Sequence, residues 1–260
     1  MTILIRQDDG PVARLTLNMP EKLNALSDTM LAALHAALDD IASCETIRVV
    51  IIAGAGRAFC AGHDLKEMQA KRAAPDGGAA AIRDLFDRCA ALMLRIQSLP
   101  QPVICEVHAL ATAAGCQLVA TCDLAVAALD AKFGVNGVNI GLFCATPMVA
   151  LTRNIPRKAA FEMLTTGRFV DAEQAQTLGL INRAVPAETL TAETTALAQT
   201  IASKLTSAVR HGKGAFYAQM TMNTADAYAF TGDVMVANML DDDTNEGITA
   251  FLEKRAPDWS

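Results

Sequence analysis

Val103-Ile104-Cys105-Glu106-Val107 leads through Ala111-Thr112-Ala113 to Ala114-Gly115-Cys116, and an earlier stretch follows the same plan. There, Val49-Val50-Ile51-Ile52 leads through small residues to Ala61-Gly62-His63-Asp64. Each reads as a buried strand, a small-residue turn and a helix start, so the chain carries a faint internal repeat. The apolar runs have no polar face, as expected of strands covered on both sides. Small residues let a ligand approach the backbone closely, and a helix start presents unpaired N–H groups at a positive dipole end. Two such groups converging on one point would hold an oxyanion. The same small residues also suit tight strand–helix packing with no ligand at all.

Working outward, Ile3 and Ile5 alternate with polar neighbours, Asp9-Gly10 supplies a turn, and Val12, Leu15 and Leu17 continue a hairpin. Leu26, Met30, Leu34, Leu38 and Ile41 recur at helical spacing, with Ser27 and Asp28 suited to the N-terminal cap. Asp123 to Ala127 is a third buried strand. Ile82, Leu85, Phe86, Cys89, Leu92, Met93 and Ile96 form a helical stripe, and 147–152, 158–164 and 172–178 are shorter helix candidates. Strands alternating with helices predict an α/β fold. From about Thr191 onward the pattern is almost wholly helical, so the expected division is an α/β core over 1–195 and a helical segment over 196–260. The stretch from Ala73 to Ala81 reads as a surface loop.

Composition narrows the function. The chain has 260 residues, 52% of them hydrophobic, and 22 basic against 28 acidic side chains give a net charge of −6. An acidic chain with 5% aromatic residues offers neither a basic footprint nor stacking platforms for nucleic acid. Its positive mean hydropathy excludes disorder. The seven cysteines form no CxxC pair, so they read as reduced core residues, and no Cys/His cluster has zinc spacing. No segment is apolar for long enough to span a membrane, and residues 1–9 resemble no secretory signal. A cytoplasmic location is the resulting default.

The wording of the chain says more. Pro20-Glu21-Lys22-Leu23-Asn24-Ala25-Leu26, Ala58 to Leu65 and Ala113-Ala114-Gly115-Cys116-Gln117-Leu118 resemble the crotonase (enoyl-CoA hydratase/isomerase) superfamily. So do Phe133-Gly134, Leu164 to Gly167, Asp171 to Ala175, Gly179-Leu180, and Glu246-Gly247 through Phe251, Lys254 and Arg255. The order is kept nearly end to end. This resemblance implies a crotonase (ClpP/crotonase-like) spiral of ββα units with a C-terminal helical segment. It implies an acyl-CoA ligand, with no separate cofactor because CoA is part of the substrate. It also implies a nominal lyase of fatty-acid metabolism, assembled as a homotrimer or a dimer of trimers through the tail. The apolar run Val234, Met235, Val236, Met239 and Leu240 fits such a contact.

Carried over by position, the backbone N–H groups of His63 and Ala114 would form an oxyanion hole for the thioester. Charge builds on that oxygen as an enolate forms, and fixed donors stabilise it more than the ground state. Ala61, Gly62, Asp64 and Leu65 would contact CoA along the loop, while Lys22, Phe251 and Lys254 would reach its nucleotide. Asp64 also suits a helix cap, and His63 reads most simply as a surface histidine of that loop. Glu106 and His108, at the end of a core strand, are expected to pair with other polar groups or subunits.

Two positions depart from the pattern. Hydratases of the family use two glutamates to hold and activate water, and here those positions are Gln117 and Gly137. Neither residue can exchange a proton, and such help is typically worth roughly 10²–10⁴-fold per group. Ordinary hydration should therefore be weak or absent, and a Gln117→Glu, Gly137→Glu double variant should gain some. Asn136, Asn139 and Thr146 nearby cannot titrate usefully, and Cys144 in apolar company reads as an inert thiol. The chain is then an acyl-CoA enzyme of another reaction (isomerisation, thioester hydrolysis, decarboxylation), an enoyl-CoA hydratase with weak or no activity, or a non-catalytic acyl-CoA binding or regulatory protein.

Overall fold

The computed structural model describes residues 2–258. In chain order the strands are β1 (Leu4–Asp9), β2 (Val12–Leu17), β3 (Val49–Gly54), β4 (Ala58–Cys60), β5 (Val103–Val107), β6 (Leu110–Thr112), β7 (Leu124–Ala128), β8 (Lys132–Gly134), β9 (Phe169–Asp171) and β10 (Arg183–Val185). The helices are α1 (Asp28–Ser43), α2 (Leu65–Lys71), α3 (Ala79–Ser98), α4 (Ala114–Thr121), α5 (Ala145–Asn154), α6 (Arg157–Thr166), α7 (Ala172–Leu178), α8 (Leu190–Ala202), α9 (Thr206–Gln219), α10 (Thr224–Met239) and α11 (Asp242–Glu253).

The hairpin forms across Gly10, with Asp9 opposite Val12. Beyond it β2, β3, β5, β7 and β10 run parallel in one sheet, in the order β1-β2-β3-β5-β7-β10. A second sheet has the order β4-β6-β8-β9, and only β9 is antiparallel. The chain therefore steps from large sheet to small sheet three times, as β3–β4, β5–β6 and β7–β8. Helices α2 and α4 follow the first two steps. This winding is the spiral of ββα units, and its first two turns are the internal repeat seen in the sequence.

The register explains why the strands are apolar throughout. Along β3, Val50 and Ile52 face the main core with α1 and α3, whereas Val49 and Ile51 face a second cluster with Leu190, Ala198 and Ala202 of α8. Alternating side chains are thus buried on opposite faces of one strand. Helix α1 buries Met30, Leu31, Leu34, Leu38 and Ile41, and Ser27 Oγ caps it by accepting from the Met30 N–H. Helix α3 begins inside the expected surface loop, at Ala79. Asp76 accepts from the N–H groups of Gly78 and Ala80, which starts the helix there.

Residue 195, the expected limit of the core, falls within α8. Because Ala198 and Ala202 bury against the sheet, the packed core continues to the end of that helix. Beyond it, α9 is tied down by a buried charge. Lys213 Nζ donates to the carbonyls of Ile96 and Gln101 and to Asp123 Oδ2 at 2.6 Å, and Tyr217 OH donates to Asp123 Oδ1 at 2.7 Å. Burial pushes the Lys213 ammonium below its ordinary value, while Asp123 pulls it back up. Helix α10 buries no residue and exposes Tyr228, Met235, Val236 and Met239, and Leu240 just after it is exposed too. Glu106 does find a partner within the chain, since Arg14 Nη1 donates to its Oε1 at 2.8 Å. His108 Nε2 lies 2.8 Å from the Gly56 carbonyl.

The seven cysteines are free thiols, six of them buried and Cys44 half-buried. No described helix is long and apolar enough to cross a membrane.

Candidate functional site

The two small-residue loops meet. After β4 the chain passes through Ala61 and Gly62 to His63, and after β6 it passes through Ala113 to Ala114 at the head of α4. A Cβ on Gly62 would lie 2.9 Å from Ala113 Cβ and 3.2 Å from the Ala114 nitrogen. One on Gly115 would lie 2.1 Å from the Cys60 carbonyl oxygen. Both positions need glycine for this contact, and Gly62 also has φ +89°, which side chains disfavour. Ala113 holds φ +51° between β6 and α4, a strained value for a residue with a side chain.

A third segment clamps the first loop. Leu26 N–H donates to the Gly62 carbonyl at 2.7 Å, and Ala61 N–H donates to the Leu23 carbonyl at 3.0 Å. Asn24 is fully buried and donates to the carbonyls of Ala55 and Ala58, while its Oδ1 accepts from Met19 N–H. Leu23 and Asn24 both take left-handed φ values. The Lys22-Leu23-Asn24-Ala25-Leu26 motif is therefore a brace for the loop rather than part of its surface.

A cavity of about 420 Å³ opens at this junction, lined by Ala61, His63, Ala113 and Ala114 on one side and by Gly137, Leu142, Phe143 and Cys144 on the other. Met68 and Phe86 close it from α2 and α3. The Ala114 N–H lies in the first turn of α4, where no intrahelical acceptor exists; the helix ladder starts with Gln117 N–H on the Ala113 carbonyl. Its lining is mostly apolar.

His63 is not a surface residue. Its Nδ1 lies 3.2 Å from the Leu26 carbonyl, and its ring meets Phe86 edge-on with centroids 5.6 Å apart. Burial pushes the imidazole below its ordinary value, which makes it neutral at pH 7, and its buried Nε2 has no hydrogen-bond partner. With Nδ1 donating to Leu26, Nε2 is the bare acceptor. Asp64 caps α2, accepting from Lys66 and Glu67 N–H. Burial opposes its charge, yet those N–H groups and Lys22 hold the carboxyl below its ordinary value. Lys22 Nζ sits 3.2 Å from Asp64 Oδ2. Leu65 is half-exposed at the cavity rim.

Phe251 and Lys254 are not brought to this cavity within one chain. Phe251 is exposed on α11, beside a separate groove with Leu205, Ala208 and Ile248. Gln117 lies one turn into α4, 5% exposed and outside the cavity lining, with Oε1 unpartnered. Gly137 lines the cavity but leaves no space for a side chain. A Cβ there would lie 2.2 Å from the Leu142 carbonyl oxygen and 2.9 Å from Cys144 Sγ. The segment folds back through Leu142 N–H on the Gly137 carbonyl. Gly137 is therefore filled by its own loop, and this corrects the expectation that a glutamate could simply be restored. Burial pushes the Cys144 thiol up, so it stays protonated at neutral pH.

Motif reading overlooked Thr112, whose Oγ1 donates to Asn136 Oδ1 at 2.6 Å at the cavity wall, and also Arg83 and Met68. Helical spacing carried a signal for Arg83, which stands three residues before Phe86 and so on its face of α3.

A two-sheet spiral whose paired small-residue loops interlock over an apolar cavity is the architecture of the crotonases. The enoyl-CoA hydratase/isomerase family profile matches residues 7–260, and the chain belongs to that family. It is 44% identical to the mitochondrial enoyl-CoA hydratase domain-containing protein 3 of Xenopus laevis, over 99% of this chain and 86% of that one. A crystal structure of an enoyl-CoA hydratase from Mycobacterium smegmatis superposes with a TM-score of 0.96 at 52% identity, covering 100% of this chain and 99% of the other. The human enoyl-CoA hydratase domain-containing protein 3 superposes with a TM-score of 0.95 at 41% identity, covering 99% and 100%. The vertebrate relatives are named mitochondrial, which overturns the default of a cytoplasmic location.

Proposed function

We propose that this chain binds acyl-CoA thioesters in the cavity between the two loops, with the N–H groups of His63 and Ala114 directed at the thioester carbonyl. The supporting observation is the interlock of Gly62 with Ala113 and Ala114 at the head of an apolar cavity. Donors fixed there stabilise an enolate oxygen more than a ground-state carbonyl, and losing one typically costs about 2.7–4 kcal/mol of barrier. Ala61, Gly62, Asp64 and Leu65 then line the path of the pantetheine, with Lys22 beside it for a phosphate.

The same proposal excludes two-glutamate hydration. Among the described residues the cavity lining holds no carboxylate, and its titratable groups near the loops are a neutral imidazole and a protonated thiol. The chemistry that fits is one that needs carbonyl polarisation without a strong protein acid and base. A non-catalytic acyl-CoA-binding or regulatory role in fatty-acid metabolism is the second reading, favoured by the filled site at Gly137. Calorimetric titration with a panel of CoA thioesters, run beside mass spectrometry of the products, separates them. Binding with turnover supports the enzyme, binding without product supports the second reading, and no binding overturns both.

For assembly we infer a homotrimer or a dimer of trimers, because α10 leaves an apolar face that its own chain does not cover. Light scattering that shows a monomer at micromolar concentration overturns this.

A further inference from the structure

The walls of the cavity carry an unbalanced positive charge. The 420 Å³ cavity adjoins a second of about 460 Å³, and the two share Leu65, Met68, Phe86, Ile140 and Leu142. Arg83 lines the first and Arg72 the second, and among the described residues neither lining contains an aspartate or glutamate. Three nearby cations are paired within the chain. Arg88 is held by Asp28 and Asp84, Lys71 by Asp28 and Lys22 by Asp64. The Arg83 guanidinium has no ion pair or hydrogen bond among the described residues.

Its position makes that charge available to a ligand. Arg83 shares a face of α3 with Phe86, and the Phe86 ring stands against His63 at the loop junction. Arg83 is exposed to solvent at the rim of the cavity, so a ligand group must compete with water for its donors. A guanidinium offers a planar fork of N–H groups that matches a carboxylate in paired hydrogen bonds. A purely hydrocarbon acyl tail would leave that fork unused.

We propose that the acyl group this site selects ends in a carboxylate, which Arg83 holds while the thioester sits at the loop junction. The substrate class is then an ω-carboxyacyl-CoA, the half-thioester of a dicarboxylic acid. This rests on the acyl-CoA reading above. It explains how a cavity without a protein carboxylate discriminates among acyl groups: the acid is on the ligand and the cation on the wall.

The test measures dissociation constants by calorimetry for the full chain with glutaryl-CoA and its longer homologue adipoyl-CoA, each beside its methyl ester. The ester keeps length and shape but removes the charge. The expected result is a preference for at least one free acid of roughly tenfold, the low end for a charge-assisted hydrogen bond at a partly exposed site. In Arg83→Met that ratio falls to about one, and in Arg83→Lys part of it returns. Because the readout is a ratio within one protein sample, loss of folded material cancels from it. A wild-type ratio near one overturns the proposal. So does a loss in Arg83→Met that is equal for acid and ester, since that outcome assigns Arg83 to the phosphates of CoA. If none of these thioesters binds while other members of the panel do, this proposal alone falls; if nothing in the panel binds, the acyl-CoA reading falls and this proposal with it.

Discussion

Placing a side chain at residue 137 separates two readings of the departure from the family's glutamate pattern. If the position were open, Gly137→Glu would supply a carboxylate and, with Gln117→Glu, some activity. In the structure the first atom of that side chain would sit 2.2 Å from the Leu142 carbonyl oxygen and 2.9 Å from Cys144 Sγ. A backbone oxygen cannot rotate away, so the 142–144 segment must move by more than an ångström, against the Leu142 N–H bond to Gly137. Overpacking of this kind costs about 1–3 kcal/mol, and a chain of this size loses about 2–4 °C of Tm per kcal/mol, so a fall of roughly 2–12 °C is expected. At Gln117 a new carboxylate would be 5% exposed, and burial would keep it protonated. The double variant should thus melt lower than wild type by differential scanning fluorimetry and show no gain in crotonyl-CoA hydration. A variant with wild-type Tm and new hydratase activity would refute the reasoning, because it would mean the loop opens at little cost.

Three further outcomes follow from the same geometry. Gly115→Ala should weaken CoA-thioester binding by more than about tenfold in calorimetry, since its methyl would meet the Cys60 carbonyl at 2.1 Å and part the two loops. Lys213→Met should destabilise the fold by about 3–5 kcal/mol in urea denaturation, because it leaves the Asp123 carboxylate largely buried without its cation. For His63 the folded pKa lies below the unfolded value of about 6.5, so the unfolded chain takes up the proton first as the pH drops. Stability from this residue is therefore full above that pH and lost below it. Urea midpoints taken at pH 7.5 and 5.5 should fall further for wild type than for His63→Gln, and equal falls would count against a desolvated imidazole.

Much of the architecture follows from local pattern. Val49–Ile52 and Val103–Val107 announce strands with two buried faces, Ser27 announces the start of α1, and Asp64 announces the cap of α2, because each depends on neighbours a few residues away. The departures at Gln117 and Gly137 are equally visible in the chain. The short strands β4, β6, β8, β9 and β10 were not legible. All five span three residues and four of them form one small sheet, so their pairing is set by contacts between distant segments rather than by their own periodicity.

The site shows the same division. Sequence alone determined which loops carry small residues and that no glutamate stands at two key positions. Only the tertiary structure decided that Gly62 and Ala114 touch, that the Lys22–Leu26 motif braces them through Asn24, and that His63 points inward against Phe86. It also decided that Gly137 is sealed by Leu142 and Cys144, and that an unpaired Arg83 faces the cavity. The physical reason is that a residue type fixes what a group can do chemically, whereas desolvation, convergence and the space left for a ligand depend on which distant segments pack against it.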